Sequence, residues 1–400
     1  MLRSFSDLMN TTLLITVILA AISAGMALLF LFLTAQRAWR HFRARRFDSL
    51  SIKVHEQWRS IVRGEIPPEQ WRYDSLQCDI VQSIVIQEIG AVTDKDRAGL
   101  QEFLRTSGLL NRCIERVRRE RGWSRRRAML ALGAMRVPEA IDPLSEALTD
   151  WQLDTRMTAV QALGRTSLAA AAESMIESHI CGRLRIPHDP LANALVRCCA
   201  DQPETLLPRL RRSSGESREL LARVTSEMAT PGMAGEMLHL SEDANPEVRA
   251  CAARGLAVAP LALAIPALTT LVRDEIWFVR LRAVSALNQI PHPRVIPILL
   301  EAVRDPRRLV RTKAAAALGK FEHESVEILQ SVVDSRDRFA LHAMVSALEL
   351  SGGFDKVMAR LADPKLRDET IENLLATLRE GSAGLWTTRP ADPLVETVFP

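Results

Sequence analysis

The sequence predicts an all-α protein in which one N-terminal transmembrane helix precedes an α-solenoid of helical hairpins. Two observations lead to this prediction. The run PEVRACAARGLA (residues 246–257) returns as WFVRLRAVSALN and then as RLVRTKAAAALG, each time after 31 residues. A fixed period of this size is typical of stacked supersecondary units that contact only their neighbours. The other observation is a stretch without any charged residue between Asp7 and Arg37.

The apolar segment from Leu13 to Leu33 has 21 residues, enough for a helix to cross a hydrocarbon core of about 30 Å. A cleaved signal peptide is the alternative, but its apolar region would be about 7 to 15 residues long after a basic start. We therefore expect a retained anchor. Within it, small residues recur at four-residue spacing, which either lets another helix approach closely in lipid or reflects an alanine-rich composition. These residues are Ala20, Ala21, Ala24 and Gly25.

Arginines cluster directly after the apolar segment, whereas Arg3 alone precedes it. Cytoplasmic flanks carry the excess of basic residues, so we expect the N-terminus outside and the chain from Arg37 onward in the cytoplasm. The prediction is a single-pass protein of the inner membrane, with anionic lipid near the anchor. The membrane-proximal basic residues are Arg37, Arg40, Arg43, Arg45 and Arg46.

Changes in composition along the chain predict five segments. A Pro67-Pro68 pair marks a hinge after the basic segment, and three prolines lie in the last 20 residues. The predicted segments are the anchor (1–36), a basic juxtamembrane helix and hinge (37–73), atypical helices that cap the solenoid (74–122), the repeats with a C-terminal cap (123–380) and a flexible tail (381–400).

The segment from Arg105 to Arg127 holds nine arginines against Glu115 and Glu120. One interpretation is a surface for anionic lipid or another polyanion, since like charges at this density repel unless something compensates them. The alternative is a solvated helix face with ion pairs at i,i+4 spacing, Glu115 with Arg119 and Arg116 with Glu120. The candidate contact residues are Arg112, Arg116, Arg118, Arg119, Arg125, Arg126 and Arg127.

The three best copies have an Asp six residues before the Arg, then a small residue and an apolar residue. A Pro often opens the second helix of a repeat, as predicted for Pro143, Pro266 and Pro297. Counting backwards by 31 finds Arg218, Arg156 and Arg125, but the slot at Pro187 does not match. Residues 180–212 are therefore either a degenerate repeat or a bend.

This pattern resembles HEAT repeats of the short bacterial type that was first named for phycobilin lyases. The resemblance implies an interior ladder of Asp and Arg side chains from neighbouring repeats. It assigns Asp150 with Arg156, Asp243 with Arg249, Asp274 with Arg280, and Asp305 with Arg311. Arg119 and Arg212 occupy the Asp slots before Arg125 and Arg218, so the ladder is expected to be broken there.

The whole layout is similar to bacterial single-span membrane proteins with cytoplasmic HEAT repeats, including the segment GLLNRCIERVRRERGWSRRRAMLALG (residues 108–133). That likeness implies a scaffold for a partner protein, such as a membrane glycosyltransferase of polysaccharide export.

The residues themselves offer little chemistry. The chain has no GxSxG, HExxH, Walker or GxGxxG motif, and its cysteines show no metal-ligand spacing; His179, Cys181 and His188 match no usual zinc pattern. We therefore expect a non-enzymatic scaffold without cofactor or small-molecule substrate. Two alternatives stay open: a bilin lyase-like enzyme, which would need a chromophore pocket, and nucleic-acid binding through residues 105–127, which would weaken steeply with salt.

Overall fold

The computed structural model describes residues 23–42, 44–45, 47–49, 51–52, 56, 60, 80, 94–353 and 356. Within these residues every regular element is a helix and there is no strand, which confirms the all-α class. The backbone divides into two compact units, Met1–Thr166 and Ser167–Pro400.

The described part of the first unit, from residue 94, holds five helices separated by short turns. They are α1 (Asp94–Thr106), α2 (Leu109–Arg119), α3 (Gly122–Met135), α4 (Ile141–Glu146) and α5 (Leu153–Thr166). Helices α3 and α5 pack directly on one another.

In the second unit the first and second helices of the hairpins alternate, and 3-10 turns precede several of the second helices. The helices are α6 (Ala169–Ile180), α7 (His188–Cys199), α8 (Leu207–Arg212), α9 (Gly215–Glu227), α10 (Ala234–Ser241), α11 (Pro246–Leu256), α12 (Leu261–Val272), α13 (Trp277–Leu287), α14 (Ile296–Ala302), α15 (Arg308–Leu318), α16 (Ser325–Asp334) and α17 (Arg338–Ser351). First helices of successive hairpins lie side by side, as in a solenoid.

The columns of the repeat that the sequence marks as small or apolar form the core. The alanine column and the leucine column of the three best copies are both fully buried. Alanine at a fixed place lets neighbouring helices approach, and leucine fills the space between them. The buried residues are Ala252, Ala283 and Ala314 in one column, and Leu256, Leu287 and Leu318 in the other.

The segment without the repeat signature nevertheless folds as a hairpin. Helix α7 begins directly after Pro187, and a 3-10 turn (Pro203–Leu206) followed by α8 completes the unit. Leu191 and Leu195 of α7 are buried, and α7 packs against α9. An ion pair between Asp189 of α7 and Arg223 of α9, at 2.7 Å, adds to this apolar contact. The segment is therefore a degenerate repeat that still folds as a helical hairpin.

Pro266 does not open its helix, in contrast to the sequence prediction. Helix α12 begins at Leu261 and contains Pro266 in its interior, whereas Pro297 and Pro143 lie in the first turns of α14 and α4. The corresponding repeats place a 3-10 turn before the second helix, and in α12 an additional helical turn replaces it.

Residues 23–42 are helical, and the side chains of this helix are exposed. Among the described residues no helix combines the length and the apolar character needed to span a bilayer. The first ten residues of the predicted span, which include Ala20 and Ala21, lie outside the described residues, as do Arg43 and Arg46. The predicted hinge, the C-terminal cap helix and the tail also lie outside them, so those boundaries stay predictions.

Gly133 allows the close contact between α3 and α5. A Cβ added at Gly133 would lie 2.3 Å from the carbonyl oxygen of Ala162 and 2.7 Å from its Cα. Gly319 occupies the same column of a later repeat, but its nearest neighbour would be 3.5 Å away. The same glycine position is therefore sterically required in one repeat and tolerant in another.

We expect Gly133→Ala to lower the free energy of unfolding by about 1–3 kcal/mol or more, because backbone must move to accept the methyl group. Gly319→Ala is the matched control and should be neutral or stabilising by about 0.5–1 kcal/mol, since it reduces the entropy of the unfolded chain. Thermal unfolding followed by circular dichroism measures both. Equal melting temperatures for the two variants would contradict the close-contact role of Gly133.

Candidate functional site

A ladder of arginines and aspartates connects neighbouring repeats, and each arginine reaches forward to the aspartate 25 residues later. Arg249 donates from Nε to Oδ2 of Asp274 at 2.7 Å and from Nη2 to Oδ1 at 3.0 Å. Arg280 pairs in the same two-pronged way with Asp305, at 2.5 and 3.1 Å. The fork of the guanidinium thus matches the two carboxylate oxygens, the strongest geometry for such a pair.

In these two pairs the arginine and the aspartate also bind their own loops. The Nη1 atom of Arg249 donates to the carbonyl oxygens of Asp243 at 2.9 Å and Ala244 at 3.1 Å. Oδ1 of Asp274 accepts the backbone N–H of Ile276 at 2.9 Å. Each joint therefore fixes the loop before a first helix as well as the contact with the next repeat, so the ladder residues are structural.

The ladder confirms the predicted residue types but corrects two details. The pairs do not form between an Asp and the Arg six residues later; that Arg contacts only the main-chain oxygen of the Asp, as Arg311 does with Asp305 at 2.8 Å. The predicted breaks are also wrong. Arg125 binds Asp150 at 2.6 Å and Arg218 binds Asp243 at 2.7 Å. The slots before them hold arginines, but an arginine needs only the Asp of the following repeat.

The ladder ends at Arg311, because the residue 25 positions later is Arg336 rather than an aspartate. The guanidinium of Arg311 instead lies over the ring of Phe339, 5.2 Å from its centroid. The guanidinium of Arg338 lies over the same ring at 5.1 Å. Phe339 nevertheless stays 53% exposed beside these two cation–π contacts.

The first turns of the last three first-helices present an apolar strip, which we define as Phe278, Leu309 and Phe339. Each is the second residue of its helix, in α13, α15 and α17 respectively, and these helices pack side by side. Leu309 is 60% exposed and Phe339 is 53% exposed, while Phe278 is half-buried. Large apolar side chains at equivalent exposed positions of adjacent helices are typical of an interaction surface.

The apolar strip could have been found in the sequence. The same column, two residues before the ladder arginine, holds Glu216 and Glu247 in the two preceding repeats. It changes to Phe278 and Leu309, and then to Phe339 in a repeat that is one residue shorter. An exposed column that changes from charged to apolar is a signal for binding, because no core requirement explains it.

The strip lies in a basic environment. Residues 304–311 and 334–338, the loops and first turns around Leu309 and Phe339, contain six arginines and three aspartates. Asp305 is bound to Arg280, and Asp337 caps α17 by accepting the N–H groups of Phe339 and Ala340. The surface around the strip therefore favours negative charge in whatever covers it.

The structure pairs most of the basic residues of the predicted polyanion surface with carboxylates. Both pairs predicted at i,i+4 spacing form, Arg116 with Glu120 at 3.0 Å and Arg119 with Glu115 at 3.7 Å. Further pairs join Arg118 to Glu146, Arg125 to Asp150 and Arg126 to Asp154. Arg127 lies over the ring of Trp123, and Arg112 is exposed. The segment is thus largely a set of compensated charges.

The residues considered for a metal do not form a site. The rings of His179 and His188 meet edge to face with centroids 5.7 Å apart. Burial and the neighbouring His188 lower the pKa of His179, which keeps that ring neutral. Among the described residues no group of three His, Cys, Asp or Glu side chains is arranged to hold a metal ion.

Asp274 shows the electrostatic balance of the ladder. Burial by itself would raise the pKa of this carboxyl. The hydrogen bonds from Arg249 and from the Ile276 amide, with the charges of Arg249 and Arg280, outweigh burial and lower the pKa. The folded protein therefore stabilises the charged carboxylate of Asp274 relative to its protonated form.

The family model described as HEAT repeats matches residues 110–179, 236–319 and 265–349. The chain therefore contains HEAT repeats in both units. No curated protein matches it.

Solved structures similar to the chain include human deoxyhypusine hydroxylase in complex with glycerol, at 19% identity and a TM-score of 0.26, covering 69% of this chain and 97% of that one. A mutant of Kap121p is 12% identical with a TM-score of 0.41, covering 86% of this chain and 46% of that one. A structure of Kap95p with RanGDP is 14% identical with a TM-score of 0.37, covering 79% and 54%. The chain spans about half the length of the latter two proteins.

We expect Asp274→Asn to lower the free energy of unfolding by about 1–3 kcal/mol at neutral pH, because it removes a charge-assisted hydrogen-bond pair. The lowered pKa of Asp274 means that its carboxylate stabilises the fold above the pKa of an unfolded Asp, about 3.9. This contribution is lost as the pH falls below that value. The difference between the variant and the wild type should therefore narrow below about pH 4.

Urea denaturation in a pH series measures this difference. Glu242→Gln is the control, since it removes an exposed carboxylate, one residue before a ladder Asp, that makes no ion pair with a described residue. A stability difference between Asp274→Asn and wild type that stays constant from neutral pH to pH 3 would show that the Asp274 charge is not the stabilising element.

Proposed function

We propose that this protein is a non-enzymatic scaffold, tethered to the inner membrane, whose cytoplasmic HEAT repeats bind an acidic segment of a partner protein. The partner could belong to a membrane enzyme complex such as a glycosyltransferase. The observation that carries the proposal is the apolar strip Phe278, Leu309 and Phe339 within its basic environment.

The apolar strip has the composition of an interface centre. Aromatic and arginine side chains are the residue types that most often dominate binding energy, especially when water is excluded around them. Fully burying a Leu or Phe side chain contributes about 1.5–3 kcal/mol. Leu309 and Phe339 are each more than half exposed, so a partner would recover much of this amount.

The charge around the strip indicates the partner's chemistry. Arg311 and Arg338 flank the ring of Phe339 from two helices. An extended or helical segment with an apolar side chain between acidic residues would place the apolar group on Phe339 and the carboxylates beside the guanidiniums. Such pairing increases specificity and the association rate more than affinity.

The membrane tether is supported by the N-terminal helix. Six consecutive apolar residues, 28–33, are each more than half exposed, so apolar side chains surround this helix on all sides. A helix that is apolar all round is stable when it is buried, in a protein core or in lipid. Arg37, Arg40 and Arg45 follow these apolar residues and are exposed, which suits the cytoplasmic headgroup region.

We expect the full chain to stay with the membrane fraction after extraction at alkaline pH and to be released when residues 1–36 are deleted. Protease added to the outside of spheroplasts should leave the repeats intact, because they lie in the cytoplasm under this proposal. Release of the full chain at alkaline pH, or cleavage of the repeats from outside, would refute the tether or its orientation, respectively.

The partner is found with a photo-crosslinking amino acid at position 309 in native membranes and identified by mass spectrometry. Binding of the purified partner is then measured directly.

We expect Leu309→Ala and Phe339→Ala each to raise the Kd roughly tenfold or more, since each variant removes apolar contacts at the centre of the interface. Arg338→Glu should weaken binding further and reduce its dependence on salt.

Leu261→Ala provides the matched control, because Leu261 is a similarly exposed leucine at the start of the second helix α12 and lies outside the strip. All variants must retain the wild-type melting temperature. Wild-type affinity of both strip variants, or an equal loss with Leu261→Ala, would refute the strip as the binding surface.

A further inference from the structure

We infer that the N-terminal ends of α3 and α5 form a docking surface for an anionic bilayer, in which Trp123 and Trp151 enter the headgroup region. The inference rests on the proposed membrane location and adds to it a second, peripheral contact made by the first unit. It involves neither the apolar strip nor the N-terminal helix.

Two tryptophans of the first unit are exposed to an unusual degree. Trp151 is 84% exposed and Trp123 is 67% exposed, although indole is the largest apolar side chain. Leu153, two residues after Trp151, is also exposed. Tryptophans of water-soluble proteins are mostly buried. At membrane–water interfaces, in contrast, tryptophans are enriched, because the ring contacts lipid and the N–H contacts water.

Ion pairs bring the two tryptophans to the same end of the unit. Arg125 of α3 binds Asp150 at 2.6 Å, and Asp150 directly precedes Trp151. Arg126 binds Asp154 in the first turn of α5 at 3.3 Å. The first turn of α3, which carries Trp123, is therefore fixed beside the loop and first turn that carry Trp151 and Leu153. The three apolar side chains share one end of the α3–α5 pair.

This end is also basic. Trp123 lies under the guanidinium of Arg127, whose centre is 5.5 Å from the ring centroid. Arg121, directly before α3, is also exposed. Arginines next to exposed indoles are the combination found on surfaces that bind anionic lipid, because the guanidiniums attract the phosphates while the rings bury apolar area.

A bilayer fits this surface better than a nucleic acid does. Several arginines of the segment already pair with carboxylates, including Arg118 with Glu146 and Arg119 with Glu115, which reduces the charge available for a phosphate backbone. The exposed apolar area at Trp151 and Leu153 would not contact a nucleic-acid phosphate backbone. Burial of this area in the membrane interface lowers the free energy of the bound state.

The test uses the full chain reconstituted in lipid nanodiscs of phosphatidylcholine, with or without phosphatidylserine, in which the phosphatidylcholine carries brominated acyl chains. Bromine quenches indole fluorescence only at short range. The emission of Trp123 and Trp151 is the difference between the wild type and the double variant Trp123→Phe with Trp151→Phe. We expect this emission to be quenched in anionic discs and much less quenched in zwitterionic discs. Both side chains are exposed, so the variants should fold normally.

Trp277→Phe is the control, a half-buried tryptophan of the second unit whose removal should leave lipid quenching unchanged. If the chain fails to associate with either disc, the proposed tether and this inference both fail. If it associates but the Trp123 and Trp151 emission is not quenched, only this inference is overturned. Duplex DNA binding that weakens in Trp123→Ser with Trp151→Ser, without lipid quenching, would also overturn it in favour of a nucleic-acid surface.

Discussion

The hydrogen bonds of each ladder arginine connect three parts of the chain at once. Arg280 binds the carboxylate of Asp305 in the next repeat and the carbonyl oxygens of Asp274 and Glu275 in the loop before its own helix. Burying two charges is costly, and it is compensated only when geometry and additional hydrogen bonds are good. Here the aspartate also accepts a backbone N–H of its own loop, so few polar atoms of the joint lack a partner.

The other features of the repeats depend on this joint. It fixes the loop before each first helix, so the first turns of neighbouring helices are held in the same register. Side chains two residues before each arginine therefore line up on the surface, where the core does not restrict their type. The same column holds Trp123 in the first unit and the residues of the apolar strip in the second. Both proposed binding surfaces lie where this unrestricted column becomes apolar.

The end of the ladder also changes the charge of the surface around it. Arg311 has the environment of a ladder residue on one side, since it binds the carbonyl oxygens of Asp305 and Pro306. On the other side it meets the ring of Phe339 instead of a carboxylate. A guanidinium that is held by its own loop but not neutralised by an aspartate remains electropositive. This explains why the last described repeats combine positive charge with an exposed aromatic ring.

The sequence by itself determined the helical class, the period and the buried columns. Burial follows from the spacing of Ala283 and Leu287 along one helix, and their spacing is visible in the chain. Charge pairs within one helix, such as Arg116 with Glu120, were equally accessible because i,i+4 neighbours share a helix face. The family resemblance added the residue types of the ladder but not its correct partners.

Only the tertiary structure decided which residues meet across repeats. The partner of Arg125 is Asp150, because the first helix of one hairpin lies beside the loop of the next. The period of the sequence does not say which residues of neighbouring repeats are close in space. The hairpin of α7 forms without a ladder pair, since its buried leucines and an ion pair between Asp189 of α7 and Arg223 of α9 supply the contact with α9. The tertiary structure likewise added the pairs of Arg118, Arg125 and Arg126 to the two pairs expected within α2. Their carboxylates lie 25 to 28 residues further along the chain, where sequence spacing alone carries no information about contact.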